Sequence, residues 1–310
     1  MHHTAESGKA IEQLGIACRE CGFFYIAGQG VDEALCRELE ALSRRFFDQS
    51  ESEKMQIAMA WGGRAWRGYF PVGGELTSGK PDRKEGLYFG AELAADHPAV
   101  LAGKPLHGPN LFPEIPGFRE VVLGYIDSLT QLGRALMSGM LSGLGVDQNY
   151  LQELSAGDPM HLQLSPATED RDTPWGVGEH TDYGLLTILR QDDTGGLQVK
   201  SRSGWVDAPP IPETFVCNID MLDRLTHGIY RSTPHRVINT SKRNRLSFPF
   251  FFDPNFDARI RPIQGIEHQA SDDSRERWDH ASVHQFSGTY GDYLLNKVSN
   301  VFPELRKKVL

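Results

Sequence analysis

Short strand-forming runs separated by turns fill the chain from residue 160 to about residue 263, and they constrain the fold more than any other feature. Six runs are predicted to be strands: residues 161–164, 185–189, 197–200, 214–219, 236–239 and 245–252. Residues 201–204 predict a hairpin turn. This pattern is typical of a mainly β fold with flanking helices, whose core is a double-stranded β-helix, or jelly roll.

Helical patterns precede and follow the strand-rich region. Residues 35–46 carry apolar side chains at helical spacing, and a longer apolar stripe over 121–140 predicts a helix that packs on a sheet. Shorter helical patterns occupy 8–20, 148–154 and part of 280–310. We expect a helical and stranded region over 1–155, the jelly-roll core over 156–265 and a helical tail over 266–310. No repeat or low-complexity linker separates these parts, so one compact unit is expected.

The composition argues against several classes of protein. Asp and Glu outnumber Lys and Arg by 41 to 32, and the basic residues form no cluster suited to a nucleic-acid surface. No apolar run approaches the ~18 residues of a membrane span, and no signal peptide is visible. We therefore expect a cytoplasmic monomer that acts on a small molecule and binds neither nucleic acid nor a membrane.

Two of the four cysteines form a Cys18-x-x-Cys21 pair. Such pairs can bind zinc or carry out redox chemistry, but no second pair completes a zinc site here. The pair also falls at the end of a helical pattern rather than after a strand. Buried thiols in a reduced protein are the preferred interpretation.

The segment His180-Thr-Asp182, followed 53 residues later by His235, is the main candidate for a functional site. Of the eleven histidines, only His180 is followed two positions later by an acidic residue. Side chains at this spacing share one face of an extended segment, while His235 must come from a different strand. Two imidazoles and one carboxylate can bind one face of Fe(II) and leave the opposite face open. The alternative is a polar strand end without a metal.

Arg245 and Ser247 form a second candidate pair, ten residues beyond His235. They also lie two positions apart and would project from one face of the strand 245–252. The planar guanidinium of arginine matches a carboxylate, and a serine hydroxyl adds a donor to the same group. The pair suggests a site for a 2-oxo acid beside the metal, although an ordinary salt bridge of Arg245 is the alternative.

Several segments resemble one known family as an ordered set. They are Cys21-Gly-Phe-Phe-Tyr-Ile26, Asp82-Arg-Lys-Glu85, Ser232-Thr-Pro-His-Arg-Val237, Arg245-Leu-Ser247 and Phe250-Phe-Phe-Asp-Pro254. With these motifs the chain resembles the isopenicillin N synthase-like group of Fe(II)/2-oxoglutarate-dependent oxygenases. The resemblance extends from about residue 10 to the Phe-Pro pair near the end of the chain.

The chain also departs from the family pattern. The apolar strand that usually opens the family is missing, so the front of the chain looks shortened. Relatives often have Asn-Tyr-Tyr-Pro where this chain has Gln163-Leu-Ser165-Pro166. Gln163 can replace the asparagine, but Ser165 replaces a tyrosine with a shorter hydroxyl. We therefore expect binding of 2-oxoglutarate to depend mainly on Arg245 and Ser247, with Gln163 as a further contact.

The resemblance implies that His180, Asp182 and His235 hold Fe(II) and that O₂ reacts with bound 2-oxoglutarate. Succinate and CO₂ are released while a small organic molecule is oxidised, most commonly by hydroxylation. Phe251 and His161 are the candidate substrate residues. Two other functions stay open, which are an Fe(II) oxidase of the same fold that does not use 2-oxoglutarate and a non-catalytic ligand-binding barrel.

Overall fold

The structure is a computed structural model that describes residues 5–155, 160–167, 175–239, 241, 243–266 and 283–303. Its helices are α1 (Ala5–Glu20), α2 (Glu33–Phe47), α3 (Glu51–Lys54), α4 (Pro98–Leu101), α5 (Phe118–Gly143), α6 (Asn149–Ser155), α7 (Met221–Leu225) and α8 (Tyr290–Val301). Its strands are β1 (Phe23–Ile26), β2 (Gly68–Phe70), β3 (Gly86–Gly90), β4 (Met160–Ala167), β5 (Trp175–His180), β6 (Leu186–Gln191), β7 (Leu197–Ser201), β8 (Gly204–Asp207), β9 (Phe215–Ile219), β10 (His235–Ile238) and β11 (Arg245–Phe252).

The strands form two antiparallel sheets. The larger sheet has the order β1-β9-β6-β11-β4-β3-β2, and the smaller has the order β5-β10-β7-β8. Val177, Leu197 and Val237 of the smaller sheet form an apolar cluster with Val216 and Leu189 of the larger one. The strands of the core thus alternate between two facing sheets. The predicted jelly roll with flanking helices is confirmed.

All six predicted strands are present, with shifted ends, and the predicted hairpin turn joins Ser201 to Gly204. Of the other five strands, β1 lies within the family-like segment Cys21–Ile26, and the remaining four were not predicted. Glycines interrupt β5 at Gly176 and Gly178, which weakens the strand signal there. The other three, β2, β3 and β8, have only three to five residues, so they are too short to show alternation.

The pairing of the strands places the candidate site residues of the larger sheet on one of its faces. Directly paired residues of antiparallel strands share a face. Ser165 pairs with Ser247, Phe251 pairs with Thr187, and Thr187 pairs in turn with Asn218. This inner face looks toward the smaller sheet, and the candidate site lies between the two.

Helix α5 packs on the outer face of the larger sheet, as its apolar stripe predicted. A Cβ at Gly133 would lie 2.6 Å from the Phe252 ring, so this glycine allows the helix to approach β11 closely. Helices α1 and α2 pack in turn on α5. Together they cover the apolar back of the sheet.

The tail is helical over α8, and the backbone N–H of Leu76 donates to Val301 O at its end. The remaining tail predictions, and the boundaries near residues 155 and 265, fall on or beside residues outside the described ranges and stay predictions. Among the described helices, none has the length and apolar content of a membrane span. The monomeric state and the cytoplasmic location also stay predictions.

Candidate metal centre and adjoining cavities

Three side chains from two neighbouring strands and a loop converge between the sheets. His180 ends β5 and His235 begins β10, and the two residues are direct partners in the register. Asp182 lies just after the end of β5, beside His180 as the spacing predicted. Its Oδ1 atom is 3.6 Å from Nε2 of each histidine. The three ligand atoms lie within 4.8 Å of one another, close enough to share one metal ion.

Both imidazoles are oriented by backbone carbonyls. Nδ1 of His180 lies 2.8 Å from Gly178 O, and Nδ1 of His235 lies 3.3 Å from Thr233 O. A proton on Nδ1 satisfies these carbonyls and leaves the lone pair of Nε2 directed at the metal position. The ring of Phe23 packs edge-on against His235, with 5.2 Å between centroids, and limits its rotation.

Asp182 is held through one of its two carboxylate oxygens. Oδ2 accepts hydrogen bonds from Thr187 Oγ1 at 2.5 Å and from Asn218 Nδ2 at 2.9 Å. Because these donors occupy Oδ2, Oδ1 is the atom directed between the histidines. Partners that orient a ligand in this way are a regular feature of metal sites.

The protonation states suit a cation. Burial lowers the pKa of His180, and burial together with the neighbouring His180 lowers the pKa of His235 to about 4. Burial alone would raise the pKa of Asp182, but the two histidines and its hydrogen bonds lower it. Neutral imidazoles and an ionised carboxylate are the forms that bind Fe(II), so the donor set fits this metal.

A cavity between the sheets connects this centre to Arg245. The side chain of Arg245 is 2% exposed, and its guanidinium donates to Gly195 O at 2.7 Å and to Gln191 Oε1 at 3.0 Å. Burial lowers its pKa to about 10, which still leaves a cation at neutral pH. Ser247 lies on the same wall and donates to Ser165 O at 3.3 Å. The cavity thus offers metal ligands at one side and a buried guanidinium at another.

The two residues that replace the family's Asn and Tyr behave differently. Ser165 Oγ donates to Glu85 O at 2.7 Å, so its proton is committed to the backbone. Gln163 lines both this cavity and a second one, and its amide nitrogen lies 3.3 Å from Glu75 Oε2. Gln163 therefore stands between the two cavities rather than at the Arg245 side alone.

Sequence reasoning missed the ionic cluster around Glu75. Lys84 Nζ lies 2.8 Å from Glu75 Oε2, and Tyr88 Oη donates to Glu75 Oε1 at 3.1 Å. Burial alone would lower the pKa of Lys84, but Glu75 and Asp82 raise it above its ordinary value. Lys84 lines both cavities. It belongs to the Asp-x-Lys-Glu segment that resembled the family, and that resemblance was the available signal.

The second cavity lies on the other side of the metal ligands and is largely aromatic and aliphatic. Its aromatic walls are Trp66, Tyr88, Tyr183, Phe251, Tyr290 and Phe302. Helix α8 adds Leu294, Val298 and Val301, so the tail closes one side. Phe251, a candidate substrate residue, lines both cavities. The backbone of His161 pairs with Phe251, but the His161 side chain is outside the described ones.

Several histidines lie away from the metal ligands. His227 has φ of 51° in the turn after α7. His284 is half-buried, and its Nε2 lies 3.0 Å from Asp223 Oδ1. His268 and His280 lie outside the described residues. All four cysteines are free thiols in the structure.

Comparison with known proteins identifies the family. Residues 148–254 match the family model described as 2OG-Fe(II) oxygenase superfamily, and residues 2–115 match the model described as non-haem dioxygenase in morphine synthesis N-terminal. The chain belongs to the 2OG-Fe(II) oxygenase superfamily, a family of Fe(II)- and 2-oxoglutarate-dependent dioxygenases that use O₂. The family expected from the sequence is confirmed, and the non-catalytic barrel is set aside.

Three curated relatives and one solved structure illustrate the likeness. A probable iron/ascorbate oxidoreductase of Dictyostelium discoideum is 51% identical over 96% of this chain and 90% of its own length. A 1-aminocyclopropane-1-carboxylate oxidase of Dictyostelium mucoroides is 36% identical over 96% and 92%. A homoarginine-6-hydroxylase of Oryza sativa subsp. japonica is 37% identical over 95% and 90%. The crystal structure of a full-length Neurospora crassa protein in complex with alpha-KG and thymine has a TM-score of 0.76, with 28% identity over 94% and 91%.

Proposed function

We propose that this enzyme oxidises a carbon–hydrogen bond of a small organic molecule, most simply by hydroxylation, and converts 2-oxoglutarate to succinate and CO₂. The observation that carries the proposal is the buried Arg245, whose cavity also contains the three metal-binding side chains. A cation in an enclosed site next to a metal suits an anionic co-substrate that binds the metal at its other end.

In this proposal the Nε2 atoms of His180 and His235 and the Oδ1 atom of Asp182 hold Fe(II). Bound Fe(II) supplies O₂ activation coupled to the oxidative decarboxylation of 2-oxoglutarate. Thr187 and Asn218 fix the carboxylate so that its free oxygen stays directed at the metal. The arrangement leaves the side opposite these ligands open to co-substrate and substrate.

Arg245 and Ser247 bind the distal carboxylate of 2-oxoglutarate. The hydrogen bonds from Arg245 to Gly195 O and Gln191 hold the guanidinium in place before the co-substrate arrives. Ser165 Oγ donates to Glu85 O at 2.7 Å, whereas the bond from Ser247 Oγ to Ser165 O is longer, at 3.3 Å, so Ser247 is the hydroxyl more readily turned to the carboxylate. Gln163 lies near the point where the two cavities meet. Apolar side chains of β5, β6, β7 and β10 line the rest of the cavity and exclude water.

The substrate binds in the aromatic cavity, beside His180 and Asp182. Phe251 supplies a ring at the junction of the two cavities, where it can stack on the substrate and separate it from the co-substrate. His161, whose backbone pairs with that of Phe251, stays a candidate substrate residue. A cavity of this composition fits a molecule with an apolar portion and few polar groups.

The proposal is tested by coupled turnover. Purified protein with Fe(II), 2-oxoglutarate and a metabolite extract is expected to form succinate in step with O₂ uptake. Substitution of His180, Asp182 or His235 by Ala is expected to abolish Mn(II) binding in calorimetry and all turnover. His97→Ala, which lies outside both cavities, serves as the control. Retained metal binding in all three variants would exclude the proposed centre.

A second candidate is an oxidase of the same fold that does not consume 2-oxoglutarate. It is favoured by the likeness to a 1-aminocyclopropane-1-carboxylate oxidase over nearly the whole chain. The two candidates differ in stoichiometry, because this oxidase would take up O₂ without forming succinate. Full substrate conversion in the absence of 2-oxoglutarate would favour the oxidase.

A further inference from the structure

Arg67 is a buried arginine in the wall of the aromatic cavity. It lies immediately before β2 and is 2% exposed. Its guanidinium occupies the space above Gly90, where an added Cβ would lie 1.9 Å from Arg67 Nη2. Gly90 pairs with His161, which pairs with Phe251. The Arg67 guanidinium therefore lies on the same face of the larger sheet as Phe251, and strand β4 separates the two.

The guanidinium of Arg67 has few hydrogen-bond acceptors around it. Within the described part of the chain, its one hydrogen bond runs from Nη2 to Leu106 O at 3.1 Å, and Nε has no acceptor. Glu92 and Asp253 are near enough to affect its pKa, but neither makes an ion pair with it. Glu92 is engaged by Asn110 and Arg119 at 2.7 and 2.8 Å.

The two buried lysines in the described part of the chain each have a carboxylate within hydrogen-bonding distance. Lys54 Nζ lies 2.6 Å from Glu85, and Lys84 Nζ lies 2.8 Å from Glu75. Arg67 resembles Arg245 instead, because both are enclosed guanidiniums that face a cavity and lack an ion pair. A buried charge without a counter-ion is costly, so an anion from outside the chain would stabilise it.

We propose that Arg67 binds a carboxylate of the primary substrate and thereby determines which molecules the enzyme accepts. The inference rests on the proposed function, since it assigns the substrate to the aromatic cavity. Burial lowers the pKa of Arg67 to about 10, and the guanidinium is still a cation at neutral pH. Its planar donors match a carboxylate, and one guanidinium suffices for one such group.

Much of the remaining cavity lining is apolar. Val298, Val301 and Phe302, at the end of α8, line the cavity, and Met59 and Leu106 contribute further apolar surface. The acidic Glu75 is already bound by Lys84 and Tyr88. The substrate class is therefore a small carboxylic acid with a hydrocarbon portion. Its carboxylate can belong to an α-amino acid or to a simple acid, and the test below separates the two.

The test measures binding without turnover in protein loaded with Mn(II) and 2-oxoglutarate. The probes are L-phenylalanine, hydrocinnamate, L-leucine and isocaproate, each compared with its primary amide by calorimetry and thermal unfolding. At least one acid is expected to bind about 10- to 100-fold more tightly than its amide. A preference for the amino acids over the simple acids, or the reverse, identifies the source of the carboxylate.

Variants assign the effect to Arg67. Arg67→Met is expected to lose the preference for acids and, because an unpaired buried charge is removed, to unfold at a higher temperature without ligand. Arg67→Lys keeps the charge and is expected to retain part of the preference. Arg64→Met, an exposed arginine three residues earlier, is the matched control and is expected to change neither property.

Three results would overturn the inference. They are equal binding of acids and amides, no binding of any acid while Mn(II) and 2-oxoglutarate bind normally, or an Arg67→Met protein that is less stable and still prefers acids. Failure of 2-oxoglutarate to bind Mn(II)-loaded wild-type protein would instead contradict the proposed function itself. The two failures are therefore distinguishable.

Discussion

His180 and His235 lie directly opposite each other on the antiparallel strands β5 and β10, with their ring centroids 4.2 Å apart. The pairing fixes the separation of the two imidazoles through the backbone hydrogen bonds of the smaller sheet. Asp182 completes the set from the loop that follows β5. The metal centre is thus positioned by strand pairing on one side and by hydrogen bonds from the larger sheet on the other.

The bond from Asn218 to Asp182 is expected to tune metal affinity. Asn218→Ala removes one of the two donors that occupy Oδ2 of Asp182, so the carboxylate gains freedom to rotate. We expect Mn(II) affinity to fall about 10-fold, the lower end of the range for residues that orient metal ligands. Calorimetric titration measures the change. The exposed Asn149→Ala variant is the control, and an unchanged affinity in Asn218→Ala would show that Thr187 alone orients the carboxylate.

Arg245→Lys is expected to weaken the binding of 2-oxoglutarate and to leave metal binding unchanged. Lysine keeps the charge but cannot reproduce the planar fork that is held by Gly195 O and Gln191. We expect the dissociation constant for 2-oxoglutarate to rise about 10- to 100-fold in Mn(II)-loaded protein. Arg243→Lys changes an exposed arginine two residues earlier and is the control, which is expected to leave the dissociation constant for 2-oxoglutarate unchanged. A normal co-substrate affinity in Arg245→Lys would contradict the role assigned to its guanidinium geometry.

Asp82 is expected to make stability depend on pH. Burial raises its pKa from 3.8 to about 6, despite the nearby Lys84. Between these values the folded protein keeps a proton that the unfolded chain has lost. The free energy of unfolding therefore falls as pH rises, by up to about 1.4 kcal/mol per pH unit from this group.

Asp82→Asn removes this titration. Urea unfolding at a series of pH values from about 4 to 7 is expected to show the variant gaining stability relative to wild type as pH rises, with the difference levelling off above pH ~6. The exposed Asp193→Asn variant supplies the comparison. A difference that stayed constant across the series would mean that Asp82 is not buried as described.

The thiols are expected to differ in reactivity. Burial raises the pKa of Cys18 to about 12 and that of Cys36 to about 11, and it raises the pKa of Cys217 well above its ordinary value. At a pKa near 12, roughly one thiol in ten thousand is ionised at about pH 8. An aromatic disulfide reagent is therefore expected to modify the half-buried Cys21 first and the other three only in denaturant. Cys21→Ser should abolish the fast phase, and a fast reaction at Cys18 would contradict the buried-thiol interpretation.

The sequence predicted the parts of this protein whose signals are local. His180, Asp182 and His235 stood out because their residue types and spacing suit a metal, and Arg245 and Ser247 because they share a strand face. Six of the strands were predictable from composition. Strand β5 was missed, although it carries His180, because two glycines within six residues weaken the strand pattern.

The sequence by itself therefore determined the class of chemistry, through the residue types and spacing of the metal ligands and of the Arg245–Ser247 pair. Only the tertiary structure decided the surroundings of that chemistry, because these depend on contacts between distant segments. Pairing of β2, β3 and β4 brings Arg67 to the row of Phe251, the loop before β3 brings Lys84 to Glu75, and α8 closes the second cavity. None of these contacts has a periodic signal in the chain, since each arises from the register of short strands and the packing of the tail.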